Sequence, residues 1–245
     1  MSRRPVAAPR LAVPGALVVT SSRTPALAGA GVAAAALAGF AGLVDGVTEN
    51  ADLTSYDPGI ASSVADLRVP GLTFAAEVVS TVGSEVAIGL LTVVTLALLW
   101  FVWRERARAV LFGATMAAAG VLTLGVKHLL GRHRPPAAFV VGPVDTGYSF
   151  PSGHTLFSTV FIGLVVMLVL WPRAHRRGRV AAVAAWALAS AAIGASRVYL
   201  GYHWTTDVIA GWVLAVGVLG LALTVGSVRR QQHDVRGAAH AGPAR

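Results

Sequence analysis

Six long apolar stretches without a charged residue constrain the fold of this chain more than any other feature. A helix that crosses the hydrocarbon core of a bilayer needs about 17–25 mostly apolar residues. The stretches contain 16 to 19 residues each, and the shortest can extend into the residues that follow it. Along the chain they are Ala26–Val44, Val86–Trp103, Ala109–Val126, Thr155–Trp171, Val180–Ala195 and Val208–Gly226. We therefore predict an all-α polytopic membrane protein with six transmembrane helices.

The composition agrees with a membrane protein and excludes several other classes. Of the 245 residues, 55% are hydrophobic and 13% are charged, and the mean hydropathy is +0.68. Soluble domains carry about 25% charged residues, so this chain would leave a large apolar surface in water. Disordered chains are poor in apolar residues, which excludes disorder as well. Because the sequence has no cysteine, it has no disulfide, thiolate metal site or cysteine nucleophile.

The first stretch has a second interpretation. It follows a basic tail and contains Ala-x-Ala sequences, which are features of a cleaved signal peptide. We interpret it as a helix because its removal would leave an odd number of spans. The predicted organisation is a flexible basic tail (1–25), a six-helix membrane domain (26–228) and a second flexible tail (229–245).

The 20 Lys and Arg residues, which outnumber the 11 Asp and Glu residues to give a net charge of +9, are divided unequally between the two sides of the predicted membrane domain. Fifteen of them lie in the two tails, in the connection between the second and third spans, and in that between the fourth and fifth. Six crossings place these four segments on one side, and cytoplasmic segments carry such an excess of basic residues. Both termini are therefore predicted to be cytoplasmic. The spread over four segments argues against a nucleic-acid partner, which a single basic groove would suit.

The other five basic residues lie on the predicted extracytoplasmic side: Arg68, Lys127, Arg132, Arg134 and Arg197. Four of them form two short clusters beside the ends of spans, where a charge is costly and usually has a function. The fifth lies in the long segment 45–85. That segment can form two short interfacial helices, Ile60–Leu67 and Leu72–Val82, or can equally be a plain connector, and we assign it no catalytic role.

Three polar motifs lie at the outer ends of the spans, where plain loops would suffice. The first, at the end of the third span, contains Lys127, Arg134 and Pro135. The second precedes the fourth span and consists of Pro151, Ser152, Gly153 and His154. The third lies between the fifth and sixth spans and contains Ser196, Arg197, His203 and Asp207.

The basic residues and the helix start in these motifs suit a phosphate group. Lys127, Arg134 and Arg197 can surround phosphoryl oxygens, because arginine offers bidentate hydrogen bonds and lysine a compact charge. Ser152 and Gly153 precede a helix, whose free N–H groups and dipole favour an anion. The glycine also lets the backbone approach the ligand.

The two histidines suit covalent catalysis. His203 and Asp207 are four residues apart and share a helix face if the sixth helix begins near His203. An aspartate on one imidazole nitrogen fixes the tautomer and leaves the other nitrogen free to attack. His154 can then protonate the departing oxygen and later activate water.

Each motif also has an interpretation without chemistry. Arg134 and Pro135 can simply end a helix, with the arginine reaching lipid headgroups. Ser152 and Gly153 can form an ordinary helix start, and His203 and Asp207 can be a structural pair on a helix surface. The joint occurrence of three motifs on one side favours a catalytic site.

The three motifs together resemble a known signature. Lys-x6-Arg-Pro, Pro-Ser-Gly-His and Ser-Arg-x5-His-x3-Asp match the type-2 phosphatidic acid phosphatase and vanadium haloperoxidase superfamily at every spacing between Lys127 and Asp207. The resemblance implies that His203 forms a phosphohistidine, that Asp207 orients it, and that His154 acts as acid and then base. It also implies phosphate ligands at Lys127, Arg134, Ser152, Gly153 and Arg197. The family's phosphatases work without a metal, so no cofactor is expected.

The predicted function is hydrolysis of a lipid phosphate or diphosphate at the extracytoplasmic face by an integral membrane phosphatase. The resemblance implies polyprenyl diphosphate, phosphatidic acid or phosphatidylglycerol phosphate as the substrate, and extracytoplasmic placement favours the first. A phosphotransferase, in which another alcohol replaces water, shares the same first step. A haloperoxidase is disfavoured, because the superfamily's haloperoxidases resemble soluble proteins.

A lipid-binding or transport protein is the alternative without catalysis. It would need polar residues along a path through the spans, and the stretches contain few beyond Ser and Thr. Binding an anion also does not require an oriented nucleophile. Outside the signature, His128, Arg132 and His133 can bind a second phosphate or lipid headgroups, and we favour headgroups.

Overall fold

The computed structural model describes residues 24–240, without the side chains of Asp52 and residues 237–240. This range contains helices, turns and loops and no β-strand. The α-helices are α1 (Thr24–Glu49), α2 (Asp57–Asp66), α3 (Pro70–Val82), α4 (Glu85–Val102), α5 (Arg106–Leu130), α6 (Gly153–Leu170), α7 (Arg176–Tyr199) and α8 (Thr205–His240). Two 3₁₀ turns, Asp52–Tyr56 and Ala137–Phe139, lie in the connections, and α4 and α6 end in π-helical turns.

The prediction of six membrane spans is confirmed. Six helices, α1 and α4 to α8, are long and apolar enough to cross a bilayer. Several extend beyond the uncharged stretches, because a charged side chain at a helix end can reach the interface without ending the helix. Thus α5 begins at Arg106 and α8 continues to His240, so residues 229–240 of the predicted C-terminal tail are helical. Residues 1–23 and 241–245, with their predicted cytoplasmic arginines, lie outside the described residues.

Helix α6 is the central helix of the bundle. Two thirds of its span is buried (67%), against 11% of the spans of α1 and α4, and it packs against α4, α5, α7 and α8. Leu156, Val160 and Leu164 of α6 are fully buried in a core with Phe112 of α5 and Ala215 of α8. This packing fixes the first turn of α6, where the second motif lies.

Helices α1 and α8 pack closely along their length. At their crossing, Gly29 and Gly220 bring the two backbones together. An ideal Cβ on Gly29 would lie 2.6 Å from the carbonyl oxygen of Gly220 and 2.6 Å from Oγ1 of Thr224. Small residues permit this close approach, and the resulting van der Waals packing drives the association of helices in lipid.

Of the two alternatives for the outer segment, the structure shows short helices, α2 and α3, and both pack against α7. Arg68 lies in the turn between them and is half-buried. Its guanidinium donates to the carbonyl oxygens of Tyr199 and Phe139, at 2.9 and 2.7 Å. Arg68 therefore fastens the outer segment to the loops that carry the first and third motifs.

The other end of the bundle carries arginine and tryptophan. The α4–α5 and α6–α7 connections and the first turns of α5 and α7 contain Arg104, Arg106, Arg108, Arg173, Arg176, Arg177 and Arg179. Arg106 lies over the ring of Trp100, and Arg179 over that of Trp171. Tryptophan and basic residues of this kind are typical of a membrane interface.

Candidate active site

The ends of five helices meet at the end of the bundle that carries the three motifs. The cavity between them has a volume of about 410 Å³ and is bordered by the starts of α4 and α6 and the end of α5. Four of the eight predicted site residues line it: Lys127, Arg134, His154 and His203. The first and third motifs reach the cavity through glycine-assisted turns. Gly131, in the left-handed conformation at φ 60°, ends α5 and turns the chain toward Arg134.

Arg134 has several partners around the cavity. Its Nε donates to the carbonyl oxygen of Gly147 at 2.7 Å, and one Nη donates to the carbonyl oxygen of Tyr202 at 2.8 Å. The other Nη lies 2.8 Å from a carboxylate oxygen of Asp145. The Nη bound to Tyr202 also lies 3.2 Å from Nε2 of His203. The backbone contacts hold the guanidinium beside the histidine.

These contacts define the tautomer of His203. A guanidinium can only donate hydrogen bonds, so Nε2, which faces Arg134, acts as the acceptor. The ring proton then lies on Nδ1, which is 3.3 Å from Oδ2 of Asp207. His203 is thus held with the lone pair of Nε2 on the cavity side and with its proton directed to the aspartate, as a nucleophile requires.

His203 is also kept neutral. Burial, and after it the positive charge of Arg134 and Arg197, holds the pKa of His203 well below its usual range. The side chain is 2% exposed and lies in the loop between α7 and α8. The ring therefore remains uncharged at neutral pH and can act as a nucleophile without first losing a proton.

Asp207 is fully buried in the first turn of α8. Its Oδ2 accepts from the backbone N–H of Trp204 at 3.0 Å, which resembles the second half of a capping box. Its Oδ1 accepts from Arg132 at 2.6 Å. The helix start and the arginine together fix the carboxylate that holds His203.

Lys127 and His154 complete the cavity lining. Lys127 lies in the last turn of α5, and its Nζ donates to the carbonyl oxygen of Tyr148 at 2.6 Å. His154 lies in the first turn of α6 and is half-buried. Two histidines and two cations from four parts of the chain therefore face one space.

Ser152 and Arg197 lie close to this space without lining it. Ser152 is fully buried, and its backbone N–H donates to the carbonyl oxygen of Asp207 at 3.0 Å. Arg197 donates to Oγ of Ser80 at 2.6 Å and lies 4.1 Å from the ring centre of Tyr202. Its buried Nε has no hydrogen-bond partner within the described part of the chain.

Two carboxylates in the cavity were not predicted. Asp145 pairs with Arg134, and Glu85 lies in the first turn of α4. A Cβ on Gly153 would collide with the Glu85 carboxylate, so this acid occupies space beside the predicted phosphate-binding glycine. In the sequence, Glu85 could have been found as the charged residue directly before the second uncharged stretch. Asp145 could have been found only by its position between the first and second motifs.

The structure separates the three residues outside the signature. Arg132 pairs with Asp57 and Asp207 at 2.8 and 2.6 Å, so its guanidinium does not face headgroups as favoured from the sequence. His128 and His133 have exposed side chains, and His128 contacts the ring edge of Tyr148. Among the side chains that the structure describes, the acidic and histidine residues form no group of three that could hold a metal ion.

The cavity is bordered by apolar residues that face outward. Val86 of α4 and Leu124 of α5 line it and are 75% and 60% exposed. In a bilayer these positions contact lipid. A ligand with an apolar chain can therefore keep the chain in lipid while its polar group enters the cavity.

The fold and this cavity define a multi-pass membrane protein with a cationic, histidine-containing site at one end of its helices. The sequence profile of the PAP2 superfamily matches residues 108–231, which include all three motifs. The chain therefore belongs to the PAP2 superfamily.

Several proteins are similar to this chain. An undecaprenyl-diphosphatase of Sulfolobus acidocaldarius is 31% identical over 138 residues, which make up 54% of this chain and 61% of that protein. Phosphatidylglycerophosphatase B of Escherichia coli is 36% identical over 78 residues, or 32% of this chain and 29% of that protein. The matched regions thus span less than two thirds of each of these relatives.

A solved structure supports the fold. The crystal structure of a transmembrane PAP2-type phosphatidylglycerolphosphate phosphatase from Bacillus subtilis superposes with a TM-score of 0.67. The match covers 82% of this chain and 96% of that one, at 23% identity. At this identity the likeness shows the six-helix fold alone.

Proposed function

We propose that this protein is an integral membrane phosphatase that hydrolyses a lipid phosphate or diphosphate through a phosphohistidine at His203. The observation that carries the proposal is the orientation of His203, with Nδ1 on Asp207 and Nε2 beside Arg134 in the cavity. The class is supported by the PAP2 match and by the relatives' names.

In the first step, the lone pair of His203 Nε2 attacks phosphorus and forms an N–P bond. The bond between phosphorus and the leaving oxygen breaks, and protonated His154 gives its proton to that oxygen. The ring of His203 becomes cationic, and Asp207 stabilises it through Nδ1–H. Lys127 and Arg134 stabilise the charge on the phosphoryl oxygens.

In the second step, His154 removes a proton from water. The water oxygen attacks phosphorus, the N–P bond breaks, and its electron pair returns to Nε2. Phosphate leaves, and His154 again carries the proton that it needs for the next cycle. Each histidine therefore returns to its starting state.

We place the site on the extracytoplasmic side, because the arginine-rich connections lie at the opposite end of the bundle. Polyprenyl diphosphate is the first substrate to test, since this placement and the name of the Sulfolobus relative favour it. Phosphatidylglycerol phosphate is the second, after the name of the Escherichia coli relative.

The test is phosphate release by the purified protein in detergent from polyprenyl diphosphate, polyprenyl phosphate, phosphatidic acid and phosphatidylglycerol phosphate. We expect His203→Ala to lower release by about 10³-fold or more. His175→Ala is the matched control, because His175 is exposed at the opposite end of the bundle. Turnover by His203→Ala at the wild-type rate would refute the nucleophile.

Four further measurements separate the parts of the proposal. With a labelled substrate whose leaving group needs no protonation, His154→Ala should accumulate an acid-labile phosphoenzyme, since only its second step then lacks a required group. Transfer to an added alcohol without phosphate release would indicate a phosphotransferase. Labelling of a cysteine introduced at Ala138 from the cytoplasmic side would overturn the topology, and loss of activity with a chelator would overturn the expected independence from metals.

A further inference from the structure

Arg132 lies between two buried carboxylates on the side of Asp207 away from the nucleophile. One Nη donates to Oδ1 of Asp207 at 2.6 Å, and the other donates to Oδ2 of Asp57 at 2.8 Å. Asp57 is 2% exposed, Asp207 is fully buried, and the arginine side chain is 12% exposed. A single guanidinium therefore neutralises part of the charge of both acids.

The contacts of Asp207 are divided between its two oxygens. Oδ2 contacts Nδ1 of His203 and the backbone N–H of Trp204, whereas Oδ1 accepts from Arg132. Rotation of the carboxylate would break both its contact with His203 and its hydrogen bond with Arg132. Arg132 thus restrains the angle at which Asp207 meets the imidazole.

Asp57 holds Arg132 from the other side. It is the first residue of α2, and one of its oxygens accepts from the backbone N–H of Thr206 at 3.1 Å. Its other oxygen accepts from the Thr206 hydroxyl as well as from Arg132. The start of α2 and the start of α8 are therefore joined through the same cluster.

Arg132 does not face the proposed phosphate. It lines a second cavity of about 490 Å³ with Asp57 and Trp204, whereas the cavity of Lys127, His154 and His203 lacks it. Its backbone is also fixed, since its carbonyl oxygen accepts from the N–H of Ser149 at 2.9 Å. The guanidinium is directed away from the ligand and toward the aspartate.

We propose that Arg132 and Asp57 are positioning residues that hold Asp207 in the orientation that His203 needs. The inference rests on the proposed function. Two carboxylates and one guanidinium carry a net negative charge, which balances the positive charge that the His203 ring acquires in the phosphoenzyme. The outer segment, for which no catalytic role was predicted, thereby contributes Asp57 to the reaction.

The test is the kinetics of Arg132→Gln with a lipid substrate that the wild type hydrolyses. We expect kcat to fall about 10- to 100-fold, by analogy with loss of the hydrogen-bond partners that orient metal-binding side chains. KM and the inhibition constant of inorganic phosphate should change by less than about twofold, because Arg132 does not line the phosphate cavity. Asp57→Asn should show the same pattern with a smaller loss.

Two comparisons distinguish positioning from a purely structural role. In an Asp207→Asn background, Arg132→Gln should lower kcat by less than about threefold, because its effect passes through Asp207. Arg68→Gln is the matched control, since Arg68 also fastens the outer segment by hydrogen bonds but does not contact Asp207. It should keep the wild-type kcat.

The outcomes separate this inference from the proposed function. If the wild type releases phosphate, an unchanged kcat in Arg132→Gln, a raised phosphate inhibition constant, or an equal loss in both backgrounds would each overturn the inference alone. If the wild type releases none from any lipid in the panel, the proposed function fails. The inference is then decided by ¹⁵N NMR of His203: we expect the Nδ1–H tautomer in the wild type and a mixture in Arg132→Gln, and an identical tautomer in both would refute it.

Discussion

Asp145→Asn should strengthen the binding of substrate phosphate. The Asp145 carboxylate lies 2.8 Å from an Nη of Arg134 and is 45% exposed, whereas the arginine side chain is 13% exposed. A phosphoryl group that binds Arg134 must therefore displace this carboxylate. Ion pairs with an exposed partner contribute about 0.2–1 kcal/mol, and removal of a competitor of that strength corresponds to about a 1.4- to 5-fold change in affinity.

The assay is competitive inhibition of phosphate release by inorganic phosphate, measured at low and high salt. We expect the inhibition constant and KM to fall by about 1.4- to 5-fold, and the difference from wild type to shrink at high salt because exposed charges are screened. Asp66→Asn is the control, because it removes the same charge from an exposed position in the outer segment. A rise in the inhibition constant would refute the reasoning and would mean that Asp145 holds Arg134 in place for the ligand.

Two other predictions concern stability. Gly29→Ala should lower the unfolding temperature, with a cost of about 1–3 kcal/mol for overpacking, because the new Cβ would lie 2.6 Å from Gly220 and Thr224. Gly31→Ala is the control, since a Cβ there meets nothing within 4 Å, and equal unfolding temperatures for the two variants would contradict the proposed close packing. For pH, the pKa of His203 is held below its unfolded value of about 6.5 by burial and by Arg134. Below about pH 6.5 the unfolded state therefore binds more protons than the folded state. The free energy of unfolding should fall as the pH drops through about 6.5, and the contribution of His203 to it should be complete above that pH. His203→Gln should weaken this dependence in thermal unfolding experiments, and an unchanged slope would contradict the lowered pKa.

The six spans were predictable because the bilayer imposes a simple requirement of length and polarity. The ends of the helices were less predictable, since a charged residue can lie within a helix when its side chain reaches the interface. Helix α5 begins at Arg106, three residues before the uncharged stretch, and α7 begins at Arg176, four residues before it. Charge marks the depth of the hydrocarbon core better than it marks the end of a hydrogen-bonded helix.

The basic and histidine residues of the candidate site were predictable because they lie in short motifs at the ends of spans. Apart from Asp207, their acidic neighbours were not. Asp57 is separated from Arg132 by 75 residues and from Thr206 by 149, and no periodic pattern relates these positions. Asp145 lies in a loop whose path depends on contacts with Arg134. Long-range pairs of this kind depend on tertiary packing, which cannot be read from the motifs and periodicity of a single sequence.

Acidic residues compensate much of the positive charge of the candidate site. Around the candidate site, the four cations Lys127, Arg132, Arg134 and Arg197 are accompanied by four carboxylates, those of Asp57, Glu85, Asp145 and Asp207. Asp57 and Asp207 are fixed by Arg132 in buried pairs. Asp145 is exposed and pairs with Arg134, a proposed phosphate ligand, and Glu85 occupies the space beside Gly153. Under the proposed function, a phosphoryl group that binds Arg134 replaces the carboxylate of Asp145, while the buried pairs of Arg132 with Asp57 and Asp207 keep His203 oriented.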